Sequence, residues 1–261
     1  MILAAVFFIC LGASVIGAVC GVGGGIIIKP VLDAFGIMDV ATISFLSGCT
    51  VLSMTAYSVA KSLAGGKSRI GRHTGFPLAL GAAVGGVVGK RLFDVVRMSV
   101  GNPQFVGAVQ AVCLIVMTAG TLLYTLNKHR IVTHRMESRV LSLCIGLALG
   151  IMSSFLGIGG GPVNLVVLYY FFSMDSKTAA ENSLYMILFS QIAAVLVSMV
   201  TGSVPDFDWW MLALMAGGGI CGGILGRKLN QRITGETVDK LFIALLALMV
   251  MLNVFNLIQY I

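Results

Sequence analysis

The sequence predicts an all-α integral membrane protein made of two homologous repeats, and three observations predict it. Of its 261 residues, 58% are hydrophobic and only 10% charged, against about 25% charged in ordinary soluble domains. Uncharged runs cover 1–28, 41–60, 98–127, 140–174, 182–205, 209–226 and 241–261. A glycine-rich motif occurs twice, each time inside such a run.

A spanning helix needs about 20 mainly apolar residues, so the runs place helices near 2–20, 41–62, 75–96 and 104–126, then near 139–156, 177–201, 208–230 and 238–260. Between the first and second of each set lies a shorter apolar segment, near 25–36 and 161–173, entered through a glycine break. No basic residue precedes the first run, so it lacks the charged start of a cleaved signal peptide and reads as a permanent helix.

The halves repeat each other. Gly21-Val22-Gly23-Gly24-Gly25 recurs as Gly157-Ile158-Gly159-Gly160-Gly161, an offset of 136 residues. At that offset Met38-Asp39 matches Met174-Asp175, Thr42 matches Thr178 and Ser47 matches Ser183. With one inserted residue, the stretch 85–92 (GGVVGKRL) matches 222–229 (GGILGRKL). The chain therefore divides into a first membrane repeat, 1–126, a basic linker, 127–139, expected on the cytoplasmic side, and a second repeat, 140–261.

Each half has an odd number of passes if the glycine-broken pair counts as two, which inverts the halves; if the pair is one discontinuous span, the halves are parallel. The loop bearing Lys61, Lys67, Arg69 and Arg72 is basic, whereas its counterpart 201–208 carries Asp206 and Asp208, which favours inversion. Lys90-Arg91 and Arg227-Lys228 are both basic and count against it. Those pairs read as closing their helices beside the negative C-terminal ends. Gly81, Gly85 and Gly89, and Gly218, Gly222 and Gly226, fall four apart, as close helix packing in lipid requires.

Unpaired backbone is tolerated at membrane depth only where protein or a wet cavity surrounds it. A helix starting after Gly25, or after Gly161 with Pro162 in its first turn, presents free N–H groups and a positive dipole end. Such an end attracts anions. Two of them, opposed near the bilayer midplane, form the binding arrangement of secondary carriers built from repeats. The residues predicted to bind are Gly23, Gly24, Gly25, Gly159, Gly160 and Gly161.

The two glycine motifs, with Pro30 after the first and Pro162 after the second, and the segment 175–183 (DSKTAAENS), resemble the sulfite exporter TauE/SafE family across essentially the whole chain. The resemblance implies a plasma-membrane carrier of small sulfur-containing anions: sulfite, thiosulfate, sulfonates or organosulfur carboxylates.

Polar residues near the breaks complete the candidate site. Lys29, about one turn past Gly25, is a counter-charge for an anion or a partner of Asp33 four residues on. Asn164 and the equivalent Ser47 and Ser183, with Asn182 beside the latter, offer donors to substrate or hydrogen bonds between and within helices. Glu181 either complements the dipole of a helix starting near Ser176 or serves as a protonatable coupling group. Trp209 and Trp210 read as an interfacial anchor.

A net charge of +7 reflects loops between apolar runs, so the expected partners are a small sulfur anion and the lipid bilayer, not nucleic acid. The six cysteines lie in or at the ends of apolar runs without CxxC pairing, and His73, His129 and His134 lie in loops, so neither a metal nor another cofactor is expected. An enzyme would need an activated nucleophile or an acid/base pair; HExxH and intramembrane histidine are absent. An anion channel and a non-transporting scaffold remain as rivals.

Overall fold

The computed structural model describes residues 2–65, 69–71, 73–100, 103–158 and 161–260. Gly159 and Gly160 of the second motif, and Lys67 and Arg72 of the basic loop, lie outside the described residues. The chain forms α1 (Ile2–Cys20), α2 (Gly25–Ala34), α3 (Val40–Ala64), α4 (Gly75–Val100) and α5 (Pro103–Asn127), then α6 (Arg139–Leu156), α7 (Pro162–Phe172), α8 (Ser176–Val200), α9 (Trp209–Arg232) and α10 (Gly235–Tyr260). Eight of these helices are long and apolar enough to cross a membrane; α2 and α7 are the short ones.

Local chemistry sets the helix starts. Asp39 and Asp175, equivalent in the repeat, are the N-caps of α3 and α8, accepting from Ala41 and Thr42 N–H and from Thr178 N–H. Each such cap is worth about 1 kcal/mol. Asp208 and Ser138 cap α9 and α6 in the same way. The α10 helix starts three residues earlier than the apolar pattern predicts, because the Thr234 hydroxyl accepts from Thr237 N–H.

Two corrections follow at Lys90-Arg91 and Arg227-Lys228. The α4 helix continues to Val100, so Lys90 stands mid-helix and pairs with Asp94 at 2.7 Å, one turn on. Arg227 donates to the Ser58 carbonyl of α3 at 2.8 Å. Neither pair caps a helix end; Lys90 and Arg227 each have a partner on a helix face.

The spaced glycines set the packing. Gly81, Gly85 and Gly89 of α4 lie against the backbone of Leu143, Leu147 and Ile151 of α6, and Gly218, Gly222 and Gly226 of α9 lie against Phe7, Leu11 and Val15 of α1. These are the same contact repeated, with each half supplying one helix to each pair. Backbones this close leave no room for a side chain. Gly85→Leu should therefore cost at least the roughly 1–3 kcal/mol of overpacking, read as a lower melting temperature in detergent, whereas Gly120→Leu, with nothing within 4 Å, should match the wild type.

Contacts also give helix directions. Gly48 abuts Gln191, while Ser62 donates to Glu181, so α3 and α8 are antiparallel. The paired glycine rows make α1 parallel to α9 and α4 parallel to α6; Gly219 on Thr50 and Gly223 on Met54 make α9 parallel to α3. Gly75 on Asn182 and Gly86 on Ser190 make α4 parallel to α8. Equivalent helices of the two halves thus run in opposite directions. Toward one end run α1, α3 and α9, and from it start α6 and α8; Asp239 of α10, accepting from Lys128 and Ser176, joins α10 and the end of α5 to that same end. Lys61, Arg69, Arg139, Lys177, Arg227, Lys228 and Arg232 gather there, so it is called the basic end below. The opposite end holds Asp39, Asp94, Asp206 and Asp208.

The linker pairs with α7 rather than hanging free: His134 and Met136 N–H donate to the Tyr170 and Phe171 carbonyls. The core is apolar and centred on Ile26, Ile28, Leu32, Ile43, Leu46, Leu165 and Leu168, which surrounds the two breaks.

Candidate anion site at the two glycine breaks

The first break needs glycine for two distinct reasons. Gly21 and Gly23 have φ of 78° and 75°, a region that costs other residues about 1–2 kcal/mol. Gly25 is pressed against the Ile158 carbonyl of the second break, with the Ser47 hydroxyl beside it. Gly157 caps α6 with φ 64°, and the Lys29 ammonium lies 3.4 Å from where its Cβ would stand. Gly161 is the extended N-cap of α7. The breaks of the two halves therefore touch.

Lys29 is buried, 3% exposed. Its Nζ donates to Gln110 Oε1 at 2.6 Å and to the Leu156 carbonyl at 2.7 Å, and Gln110 Nε2 donates to the Phe155 carbonyl at 2.8 Å. Together the two side chains cap the last turn of α6, where helix carbonyls lack partners and the dipole is negative. Both of these hydrogen bonds of Lys29 reach other helices, α5 and α6. Gln110 was missed by the sequence reading; its only signal was an isolated amide inside an otherwise apolar run.

Four hydroxyls converge on the breaks without a hydrogen-bond partner among the described residues: Ser14 beside Gly24, Ser47 beside Gly25, and Ser44 and Ser154 near Gly157. Most buried polar atoms in proteins are paired, so this concentration marks the region. Asn164 reaches the Ser183 hydroxyl at 3.5 Å, bringing two of the predicted residues together. Asn182 is directed elsewhere: its amide donates to the Thr178 and Arg69 carbonyls and ties α8 to the loop after α3. Glu181 accepts from Ser62 and faces a cavity on the basic side. Among the described residues, no cluster of His, Cys, Asp and Glu could hold a metal.

Two cavities flank the breaks. One, of about 40 Å³, lies between α3, α4, α6 and α8 and is lined by Ser44, Ser154 and Gly157. The other, of about 420 Å³, lies between α1, α3, α8 and α9. They are repeat counterparts: Ala41, Phe45, Lys90 and Phe93 of the first occupy the positions of Lys177, Glu181, Arg227 and Asn230 in the second. They sit at opposite ends of the antiparallel α3–α8 pair.

The profile of the family described as Sulfite exporter TauE/SafE matches residues 6–252. Probable membrane transporter protein YunE of Bacillus subtilis is 22% identical over 243 residues, 87% of this chain and 88% of that protein. Probable membrane transporter protein MamO of Magnetospirillum gryphiswaldense is 25% identical over 116 residues, 42% of this chain, and the match spans only 18% of MamO. Probable membrane transporter protein y4hK of Sinorhizobium fredii is 30% identical over 89 residues, 33% of this chain and 36% of that protein. No solved structure gives a significant match. With the family profile running through both breaks and eight helices able to cross a bilayer, the chain belongs to the TauE/SafE sulfite exporter family and is a multi-pass membrane protein.

Proposed function

We propose that the protein is a secondary carrier of small sulfur-containing anions such as sulfite, thiosulfate or a sulfonate, working by alternating access between inverted repeats. The observation that carries this reading is the pair of counterpart cavities, one narrow at about 40 Å³ and one wide at about 420 Å³, at opposite ends of the antiparallel α3–α8 pair. Exchange of wide and narrow sides is what rocking two inverted repeats around a fixed site produces. The basic end is cytoplasmic in this reading, with the linker 127–139, by the positive-inside rule.

The anion passes beside the Gly25–Ile158 contact rather than through it, over the Ser14, Ser44, Ser47 and Ser154 hydroxyls. Hydroxyls offer donors that turn with the substrate, and the start of α2 adds its positive dipole end. Lys29, anchored by Gln110 and Leu156, holds its Nζ at Gly157 without having to leave its partners. Asn164 and Ser183 contribute the same chemistry from the second repeat.

Counterflow in proteoliposomes tests this. Vesicles loaded with unlabelled sulfite or thiosulfate should accumulate the labelled anion transiently, and a Ser44→Ala, Ser47→Ala, Ser154→Ala triple variant should lose most of that exchange while keeping its melting temperature. Flux without transient accumulation would identify a channel, and no flux of any sulfur anion would remove the substrate assignment.

A further inference from the structure

The two counterpart cavities do not carry the same charge. In the small one the cation, Lys90, is neutralised by Asp94 at 2.7 Å, and aromatic Phe45 and Phe93 stand where the large cavity has Glu181 and Asn230. The large cavity is lined by Arg69, Lys177 and Arg227 against the single carboxylate of Glu181. Arg69 is partly committed to Asp175 at 3.5 Å, but both side chains are about half exposed or more, so that pairing is weak. Arg227 uses one of its donors on the Ser58 carbonyl and has more to give.

A second, independent feature points to a ligand. Ser58 lines this cavity and is buried with 4% exposure, and its hydroxyl has no partner among the described residues. A buried hydroxyl beside the Arg227 guanidinium, in a cavity that Lys177 also lines, is the kind of donor set that a polyatomic oxyanion accepts from. Glu181 sits across the same space with its carboxylate held by Ser62. It occupies the cavity with the charge that a substrate would bring.

We infer that the cavity between α1, α3, α8 and α9 is an anion-docking site of the basic end, in which Arg227, Lys177 and the Ser58 hydroxyl bind an oxyanion head and Glu181 opposes it by like charge. Its repeat counterpart offers the Ser44 and Ser154 hydroxyls but only one cation, Lys90, already paired with Asp94, so the carrier holds its anion more tightly from the basic end than from the other. This rests on the carrier reading above and extends it: the two repeats share a frame but have diverged into a binding vestibule and a releasing one. The substrate class is an oxyanion with at least two acceptor oxygens in one plane face, because the arginine fork rewards that geometry.

Two measurements test it together. Binding of labelled thiosulfate and labelled sulfite to the purified full-length protein in detergent should weaken by at least about tenfold in Arg227→Ala and in Lys177→Ala, the loss of a charge-assisted hydrogen bond, and strengthen several-fold in Glu181→Gln. In inside-out and right-side-out membrane vesicles the Arg227→Ala change should raise the KM from the basic end alone, leaving the KM from the other end within about twofold. Arg227→Lys, which keeps charge without the fork, should fall between, and its melting temperature serves as the folding control. Unchanged binding in both alanine variants, or equal KM changes at both faces, overturns the docking site while leaving the carrier intact. Wild-type binding that Arg227→Ala abolishes, in a protein with no exchange, keeps the site and overturns the carrier; no binding of either anion to the wild type overturns the site.

Discussion

Gly25→Ala is expected to abolish exchange and to destabilise the protein. A methyl group at that position would stand 2.7 Å from the Ile158 carbonyl carbon and closer still to its oxygen, so backbone would meet backbone. A flexible side chain could swing away, but the atoms met here are the backbone carbonyl of Ile158, next to Gly157 in its left-handed cap. The breaks must move apart, at a cost of at least the roughly 1–3 kcal/mol typical of overpacking. The same substitution at Gly12, where nothing lies within 4 Å, removes a helix-interior glycine and should gain up to about 1 kcal/mol. Counterflow and thermal unfolding of the two variants side by side decide the matter; wild-type exchange in Gly25→Ala would show that the contact between breaks is dispensable.

Lys29→Ala should produce the second large effect, and its form distinguishes two roles. Removing the ammonium leaves the Leu156 carbonyl and Gln110 Oε1 buried without their donor, at about 1–3 kcal/mol for each unpaired group. The α6 end that carries Gly157 then loses its cap, so exchange should fall through a lower maximal rate together with a lower melting temperature. Gln110→Ala should reproduce part of this loss, and the double variant should lose less than the two singles added, since they share one network. A raised KM in Lys29→Ala at an unchanged melting temperature would instead put the ammonium on the substrate and remove the capping role from the account of transport.

The helices were legible in the sequence because charge-free runs and two glycine interruptions leave few ways to draw them. The repeat offset located the breaks, and the spaced glycines announced the close packing now seen between α4 and α6 and between α1 and α9. What stayed hidden was long-range. Lys29 finds its partners 81 and 127 residues away, whereas sequence spacing offers only Asp33 at i+4. Lys90 was read as a helix terminus although Asp94, one turn on, was visible as a partner that lets the helix continue. Ser14 and Ser44 were two serines among many until their neighbours across the bundle were known, since nothing local separates an unpartnered hydroxyl from one bonded to its own helix. Asn182 looked like a companion of Ser183, but adjacent residues on a helix point about 100° apart, and its amide meets the Arg69 loop instead.

The exchange of helices between halves, α1 lying on α9 and α6 on α4, has a bearing on how such a chain is made. Neither half buries its glycine rows alone, so the first repeat waits for the second before its tightest contacts close. The chain behaves as a self-complementary dimer whose two subunits have been fused by the linker 127–139, each patch on one half meeting its twin on the other as twofold symmetry demands. Two separately translated halves should therefore reassemble only when both insertion orientations are supplied together. The linker's pairing with α7 then acts as a tether that raises the effective concentration of one half around the other, and the divergence of Phe45 from Glu181 is the kind of change that only fusion permits, since identical subunits cannot differ.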